Sequence, residues 1–221
     1  MARSPEPTRA ALVSAAERLF AAEGIDRVSL RQINRASGAR NAVALQYHFE
    51  DRGGIVRAVV RKHYPQVDTE RHRLLDAYEA AGERDVRRLG EALVLPSAAK
   101  LSDADGGPEY LQISAELINR PRDPESGTTA EEASEEATDS IHRWRALVEP
   151  YLGHDATRLH RRFTAIRFSA LELGRRAASG PHRDDRLFIS QLVDLVVALL
   201  LAPVSLATAA LADDRDRARR R

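Results

Sequence analysis

Apolar residues recur with a helical period in almost every segment of this chain, and this pattern constrains the fold most. Near the N-terminus, Leu12, Ala15, Ala16, Leu19 and Phe20 follow the spacing i, i+3, i+4, i+7, i+8, which places them on one helix face. Similar patterns predict helices at about residues 66–81, 84–101, 108–119, 130–152, 156–178 and 184–211. No strand-like alternation of useful length and no internal repeat is present. The sequence therefore predicts an all-α fold.

The stretch SLRQINRASGARNAVALQYHF, which begins at Ser29, predicts two short helices joined by a turn. Ser29 and Gln32 form the capping-box pattern that opens a helix. Gly38 marks the turn, and the next helix is predicted over about residues 40–47. Two short helices joined by a Gly-containing turn, with polar side chains on the second, are typical of a DNA-reading helix-turn-helix.

A fourth helix is predicted to begin at Glu50 or Asp51, since acidic residues suit a helix N-terminus. It continues through an apolar stripe that includes Ile55 and Val59. Pro65 is expected to kink or interrupt this helix, because proline has no backbone N–H and clashes with the preceding turn.

The charge of the chain is unevenly distributed. Residues 1–63 carry eleven Lys or Arg against six acids, a formal charge of +5, whereas the whole chain is +1. Residues 64–221 must therefore carry −4. We call the basic residues 1–63 the head and the acidic remainder the body. A basic head on an acidic body indicates that the head binds a polyanion. The alternative, chance clustering of solvated charges, loses weight because the basic region coincides with the helix-turn-helix.

The run LVSAAERLFAAEGIDRVSLRQINRASGARNAVALQYHF resembles the N-terminal domain of TetR-type transcriptional regulators over roughly residues 9–60. The resemblance rests on an AA-x-x-LF-x-x-x-G helix, an S-L-R-x-I helix and a closing Y-H-F. There are eleven steps from Gly38 to Phe49, one more than is usual in the family, and Gln46 stands where an aromatic residue is usual. The segment RNxxALQYHF is similar to a variant recognition helix of the family.

Candidate DNA contacts follow from residue type and position. Arginine can form paired hydrogen bonds with guanine, and Asn or Gln with adenine, while helix N-termini and basic side chains bind phosphate. The resemblance implies that Tyr47 and His48 hold phosphates, although His48 fits internal packing equally well. The predicted DNA contacts are Arg27, Ser29, Arg31, Arg40, Asn41, Gln46, Tyr47, His48 and Arg52.

The resemblance also implies an effector pocket in the middle helices, where a bound small molecule would change the spacing of the heads. The candidate lining residues are Leu93, Tyr110, Ile113, Leu117, Trp144, Leu147 and Phe168, and each could instead belong to the core. Because few charged residues stand among them, the effector is predicted to be apolar or aromatic.

The last apolar stretch has two interpretations. From Leu195 to Ala212, 18 residues carry no charge, which is near the lower limit for a membrane-spanning helix. Asp194 and Pro203 argue against a span, and the resemblance implies instead that the last two helices pair with a second copy of the chain. The predicted dimer contacts are Leu159, Phe163, Ile166, Ala170, Leu173, Leu192, Leu195, Val196, Leu199 and Leu200.

Nothing in the sequence predicts catalysis, a cofactor or a metal site. The chain has no Cys, its seven His show no metal-ligand spacing, and no phosphate-binding or nucleophile motif occurs. The absence of Cys fits a reducing cytoplasm, and no secretory signal is expected at the N-terminus.

These observations predict a cytoplasmic, homodimeric regulator that binds a palindromic operator as a repressor and is released by a small molecule. The expected domains are a helix-turn-helix domain over residues 1–50, a helical regulatory and dimerisation domain over 51–212, and a charged, disordered tail over 213–221. A membrane-anchored or a non-sensing DNA-binding protein is the alternative.

Overall fold

The computed structural model describes residues 5–38, 48–49, 51–82, 84–120 and 140–220. All regular structure within these ranges is helical, which confirms the predicted all-α fold. The helices are α1 Pro5–Glu23, α2 Leu30–Ala36, α3 Arg52–Ala81, α4 Val86–Ala98, α5 Gly107–Asn119, α6 Ser140–Val148, α7 His154–Arg158, α8 Arg161–Ala178, α9 Arg186–Leu201 and α10 Leu206–Ala218. Short 3-10 turns follow α4 at Ala99–Ser102 and α6 at Glu149–Tyr151.

The buried apolar residues form two clusters. The first cluster is the core of the head and joins α1, α2 and the start of α3; its fully buried members include Leu12, Phe20, Ile33 and Ile55. The second cluster is the core of the body and joins α3, α4, α5, α6, α8 and α9. Helices α3 and α5 contribute to both clusters, so they connect the head to the body.

Trp144 on α6 lies at the centre of the body core. Its side chain is fully buried, and its indole Nε1 donates a hydrogen bond of 2.8 Å to the carbonyl oxygen of Leu89 on α4. A buried indole needs such a partner, because an unpaired N–H would lose its hydration without compensation.

Helix α3 continues through Pro65, so the proline does not interrupt the helix, which was one of its two predicted effects. The helix begins at Arg52, and the carboxylate of the preceding Asp51 caps it by accepting a hydrogen bond from the backbone N–H of Gly54. Buried residues lie on both sides of the proline, from Ile55 to Leu75. Burial along the whole helix offsets the local cost of one missing hydrogen bond, because tertiary packing supplies most helix stability.

The predicted helix over 184–211 is divided into α9 and α10 at Pro203, since proline removes a backbone donor. Arg161 on α8 covers the end of α9, where its Nη1 donates to the carbonyl oxygens of Leu199 and Ala202 at 2.9 and 2.8 Å. Among the described residues, no single helix is long and apolar enough to span a membrane; α9 and α10 pass that test only together, and they are bent by 61°.

The charged C-terminal segment, which includes most of the 213–221 tail that the sequence predicted to be disordered, is helical as far as Ala218. Arg158 on α7 holds this segment through ion pairs with Asp213 and Asp216, at 2.8 and 2.9 Å. High charge density alone predicted disorder, but here the opposite charges are matched across two helices.

The predicted helix over 156–178 is also divided. His160, with φ of 55°, has a left-handed backbone that ends α7 and precedes α8. The prediction over 108–119 agrees closely with α5, and that over 84–101 with α4 and its 3-10 turn. Only the second half of the predicted 130–152 segment lies within the described residues, as α6 and the turn after it.

Candidate nucleic-acid interface and ligand cavity

Helix α2 begins at the capping box that the sequence predicts. The Ser29 hydroxyl accepts a hydrogen bond from the backbone N–H of Gln32 at 3.2 Å, and the Gln32 amide oxygen accepts one from the Ser29 N–H at 2.8 Å. The helix ends at Ala36, and Gly38 follows in the left-handed region with φ of 68°. Residues 39–47 lie outside the described residues, so Arg40, Asn41, Gln46 and Tyr47 remain predicted DNA contacts.

The start of α2 presents basic side chains to solvent. Arg27, Ser29 and Arg31 are all exposed, while Ile33 on the opposite side of the helix is fully buried. An exposed arginine beside free N–H groups at a helix start can contact a phosphate backbone. The three predicted phosphate contacts in this part of the head are therefore accessible.

Arg52 and His48 are less exposed than Arg27, Ser29 and Arg31. Arg52 begins α3 and lies 3.9 Å from the carboxylate of Asp26, but its side chain keeps 41% exposure. His48 is half-buried, and its ring lies 6.0 Å from that of Phe49. Arg52 is thus accessible to a polyanion, whereas His48 combines packing with partial exposure.

The backbone at the end of the predicted recognition segment lies very close to the backbone at the start of α3, and this contact fixes the position of the segment. Phe49 is buried in the head core, and the guanidinium of Arg9 lies 5.1 Å from the centre of its ring. A Cβ atom at Gly54 would lie only 2.0 Å from the Phe49 carbonyl oxygen. Glycine is required at position 54, because any side chain would separate the start of α3 from the segment before it.

Helix α5 holds the loop between α1 and α2. The backbone N–H of Ile25 donates to both carboxylate oxygens of Glu116, at 3.1 and 3.2 Å. Arg120, which directly follows α5, pairs with Glu116 at 2.8 Å and with Asp26 of the loop at 2.9 Å. A movement of α5 relative to the body would therefore pull on the head.

A buried charge cluster makes a second connection between head and body. Glu17 on α1 is 2% exposed, and its carboxylate contacts His63 and Lys62 of α3, each at 2.9 Å. Lys62 also pairs with Asp105 at 2.9 Å. Burial acts to lower the pKa of Lys62, but its hydrogen bonds to Asp105 and Glu17 raise it above its ordinary value.

Asp103 extends this cluster toward the 3-10 turn after α4. Lys100 is 4% exposed and donates a hydrogen bond of 2.8 Å to the Asp103 carboxylate. That bond, with a further one from the backbone N–H of Asp105, lowers the pKa of Asp103. All three carboxylates of the cluster, those of Glu17, Asp103 and Asp105, are therefore paired with a lysine.

The body contains a partly open cavity of about 80 Å³ between α3, α4, α5, α6 and α8. Its apolar walls are leucine, isoleucine and alanine side chains. Its polar groups are Arg71, Ser97, Tyr110, Ser114 and Ser169. Burial raises the pKa of Tyr110 to about 12, so its hydroxyl is neutral at physiological pH.

The predicted pocket residues are found in three places. Leu93 and Tyr110 line the cavity, whereas Ile113 and Leu117 are offset around α5 and belong to the head core. Trp144 is body core, and Leu147 and Phe168 are partly buried against it rather than lining the cavity. Ile113 and Leu117 therefore lie away from this cavity, because a periodic stripe shows that a residue is buried but not which core buries it.

Arg71 was missed at the sequence level. It stands between Val67 and Leu75 at a spacing of four, so it occupies the buried face of α3. A charged residue within an apolar stripe was the signal that could have found it. Among the described residues, no group of three or more His, Asp or Glu is placed to hold a metal ion.

The predicted dimer contacts divide by exposure. Leu173, Leu192, Val196 and Leu200 are at most 2% exposed within the protomer, so these four side chains offer almost no surface to a partner. Leu159, Ile166, Ala170 and Leu199 are half-buried. Phe163 and Leu195 are 43% and 44% exposed, and the neighbouring Leu201 is 47% exposed.

Comparison with known proteins gives similarity at the level of structure. No protein-family model and no curated protein sequence matches the chain. Two crystal structures of NalD, the secondary repressor of the MexAB-OprM multidrug efflux pump in Pseudomonas aeruginosa, are similar at 22% identity. The first covers 92% of this chain and 100% of its own with a TM-score of 0.54; the second covers 90% and 98% with a TM-score of 0.53. The chain therefore shares the all-α fold of NalD.

Proposed function

We propose that this protein is a sequence-specific DNA-binding transcriptional repressor that acts as a homodimer and releases DNA when a small molecule binds its body. The observation that carries the proposal is the head itself, in which a capped α2 presents Arg27 and Arg31 to solvent ahead of a left-handed Gly38. The shared fold with NalD, a repressor, supports the same role.

In this proposal the helix predicted over residues 40–47 enters the major groove. Arg40, Asn41 and Gln46 read base edges, and Tyr47 and His48 contact phosphates with Arg27, Ser29, Arg31 and Arg52. The formal charge of +5 over residues 1–63 supplies the electrostatic attraction. Its sequence specificity depends on the base-reading side chains, since phosphate contacts position a protein without identifying bases.

A second copy of the chain is proposed to cover the outer face of α8 and α9. Phe163, Leu195 and Leu201 expose large apolar side chains there, and an exposed apolar surface on a folded chain marks a contact site. A dimer would place two heads so that they reach successive major grooves, roughly 34–36 Å apart along DNA. Four of the residues predicted for this interface pack inside the protomer instead, so the proposed interface is the exposed subset.

Release of DNA requires that the ligand distinguish two arrangements of the heads. A ligand that binds both arrangements equally shifts no equilibrium, however tightly it binds. Helix α5 contacts the cavity through Tyr110 and Ser114 and the head through Glu116. Helix α5 is therefore the proposed element through which occupation of the cavity changes the position of the head.

The proposal is tested by equilibrium binding of the purified full-length protein to DNA flanking its own gene, titrated with salt and unrelated competitor DNA. Tight, salt-dependent binding that survives competitor is expected. A non-sensing, architectural protein would instead show equal displacement by any DNA. A membrane-anchored protein would sediment with membranes and need detergent for extraction.

A further inference from the structure

The body cavity contains a charged group whose hydrogen-bonding capacity is not fully used. Arg71 is 3% exposed, and its Nη1 donates a hydrogen bond of 2.9 Å to the Ser140 hydroxyl. Its Nε is buried and has no hydrogen-bond partner among the residues that the structure describes. Guanidinium groups stay protonated in proteins, so a buried positive charge lines this cavity.

Within the described parts of the chain, no carboxylate forms an ion pair with Arg71 within 4.0 Å. Asp68, three residues earlier on α3, is itself 5% exposed, and its Oδ1 accepts a hydrogen bond from the Ser140 backbone N–H at 3.1 Å. Burial lowers the pKa of Arg71, and nearby Tyr64, Tyr110 and Asp68 partly offset that effect. A buried cation with an unused N–H donor is costly, and an anion in the cavity that accepts from this donor would reduce that cost.

We propose that the cavity binds a small organic carboxylate, whose oxygens are held by Arg71 and by the hydroxyl groups beside it. The planar guanidinium matches a carboxylate in shape and can donate two parallel hydrogen bonds to it. Tyr110 can add a neutral O–H donor. The apolar walls suit a short hydrocarbon group, which disfavours strongly hydrated inorganic anions.

The size of the cavity limits the ligand. At about 80 Å³ it is smaller than the roughly 300–1,000 Å³ of pockets that enclose drug-sized molecules. A compact monocarboxylate therefore fits the site as it stands. This class differs from the apolar or aromatic effector that the sequence predicted, since that prediction did not include Arg71.

The carboxylate has a direct structural connection to the head. Tyr110 on the cavity wall stacks on His63, with ring centres 4.9 Å apart, and His63 contacts Glu17 of α1 at 2.9 Å. The role of the bound carboxylate as an effector depends on the proposed function. The binding of a carboxylate in the cavity does not depend on it.

The test is calorimetry and thermal unfolding of the full-length protein with acetate, butyrate, hexanoate and benzoate at constant ionic strength, beside the corresponding neutral amides. We expect at least one carboxylate to bind and raise the Tm while its amide does not. Equal effects of acid and amide, or no effect of any of the four acids, would overturn the proposal.

Three variants locate the binding. Arg71→Met should lower carboxylate affinity by roughly tenfold or more, because it removes charge-assisted hydrogen bonds. Arg73→Met is the matched control on the same helix, since Arg73 is 63% exposed and pairs only with Glu70 among the described residues. If Arg71→Met fails to fold, Ser97→Leu keeps the arginine and fills the cavity, and it should abolish binding. Unchanged affinity in a folded Arg71→Met or in Ser97→Leu would contradict the proposal.

The same preparation distinguishes this proposal from the proposed function. If the protein binds carboxylate through Arg71 but shows no sequence-specific DNA binding, the carboxylate site is supported and the regulatory role is contradicted. If the protein binds an operator tightly but binds none of the four carboxylates, the regulatory role is supported and the carboxylate site is contradicted.

Discussion

The Nε2 atom of His63 lies 2.9 Å from the Oε1 atom of Glu17, and this contact joins α3 to α1 inside the protein. Both side chains are 2% exposed. A face of the His63 ring stacks on Tyr110, whose own side chain lines the body cavity. The head and the cavity are thus separated by only two contacting side chains.

The Glu17 contact should be important for stability. Glu17→Ala leaves Lys62 and His63 without their buried carboxylate and should lower the free energy of unfolding by about 3 kcal/mol, measured by urea denaturation. Glu70→Ala is the control, because Glu70 is 42% exposed and pairs with an exposed arginine; it should change stability by no more than about 0.5 kcal/mol. Equal losses in the two variants would show that the buried cluster has no special role.

Gly54 should tolerate no side chain. Gly54→Ala brings a Cβ to 2.0 Å from the Phe49 carbonyl oxygen and should destabilise the protein by about 3 kcal/mol, with loss of DNA binding. At Gly153 a Cβ would meet no atom within 4 Å, so Gly153→Ala should leave Tm and DNA affinity nearly unchanged. An unaltered Tm for Gly54→Ala would disprove the close approach.

Substitutions of base-reading residues and of phosphate-contacting residues should have different effects on DNA affinity. Arg40→Ala or Asn41→Ala should each cost about 1–3 kcal/mol on the cognate site and relax the choice of base. Arg52→Ala should weaken binding to all sequences alike and flatten the salt dependence, because it removes a phosphate contact. Competition assays with single-base variants of the site measure both effects. Unchanged affinity for Arg40→Ala and Asn41→Ala would assign reading to other side chains.

The exposed face of α9 should control dimerisation. Leu195→Asp places a charge on that face and should shift the protein toward monomer in sedimentation equilibrium, with weaker operator binding. Ser190→Asp is the control on the same helix, because Ser190 faces Arg87 of α4. A dimer that persists in Leu195→Asp would place the interface on another surface.

Stability should fall in strongly alkaline solution. Burial raises the pKa of Tyr110 from 10.0 to about 12, so above pH 10 the unfolded chain loses this proton while the folded chain keeps it. The free energy of unfolding should therefore decrease between about pH 10 and pH 12. Tyr110→Phe should reduce the slope without removing it, because the pKa of Tyr151 is also raised to about 12 by burial and by its bond to Tyr78. A slope that Tyr110→Phe does not reduce would refute this assignment.

Local sequence patterns predicted the elements whose cause is local. Ser29 and Gln32 are three residues apart, so their capping box could be recognised without knowledge of the fold, and the structure confirms it. Pro203 does end a helix, but Pro65 does not, although proline has the same local effect at both positions. The difference lies in burial, since α3 is packed on both sides of Pro65 and the segment after Leu201 is largely exposed.

The sequence by itself determined the all-α fold, the capped start of α2 and the basic head, because helical period, caps and charge are properties of neighbouring residues. Only the tertiary structure decided which core each apolar residue joins: Ile113 belongs to the head, and Leu192 packs inside the protomer. It alone brought Arg71 to a cavity and Glu17 to His63, 46 residues away. Such pairs depend on how whole helices pack against one another. Periodicity predicts which face of a helix is buried, but it does not predict which other helix covers that face.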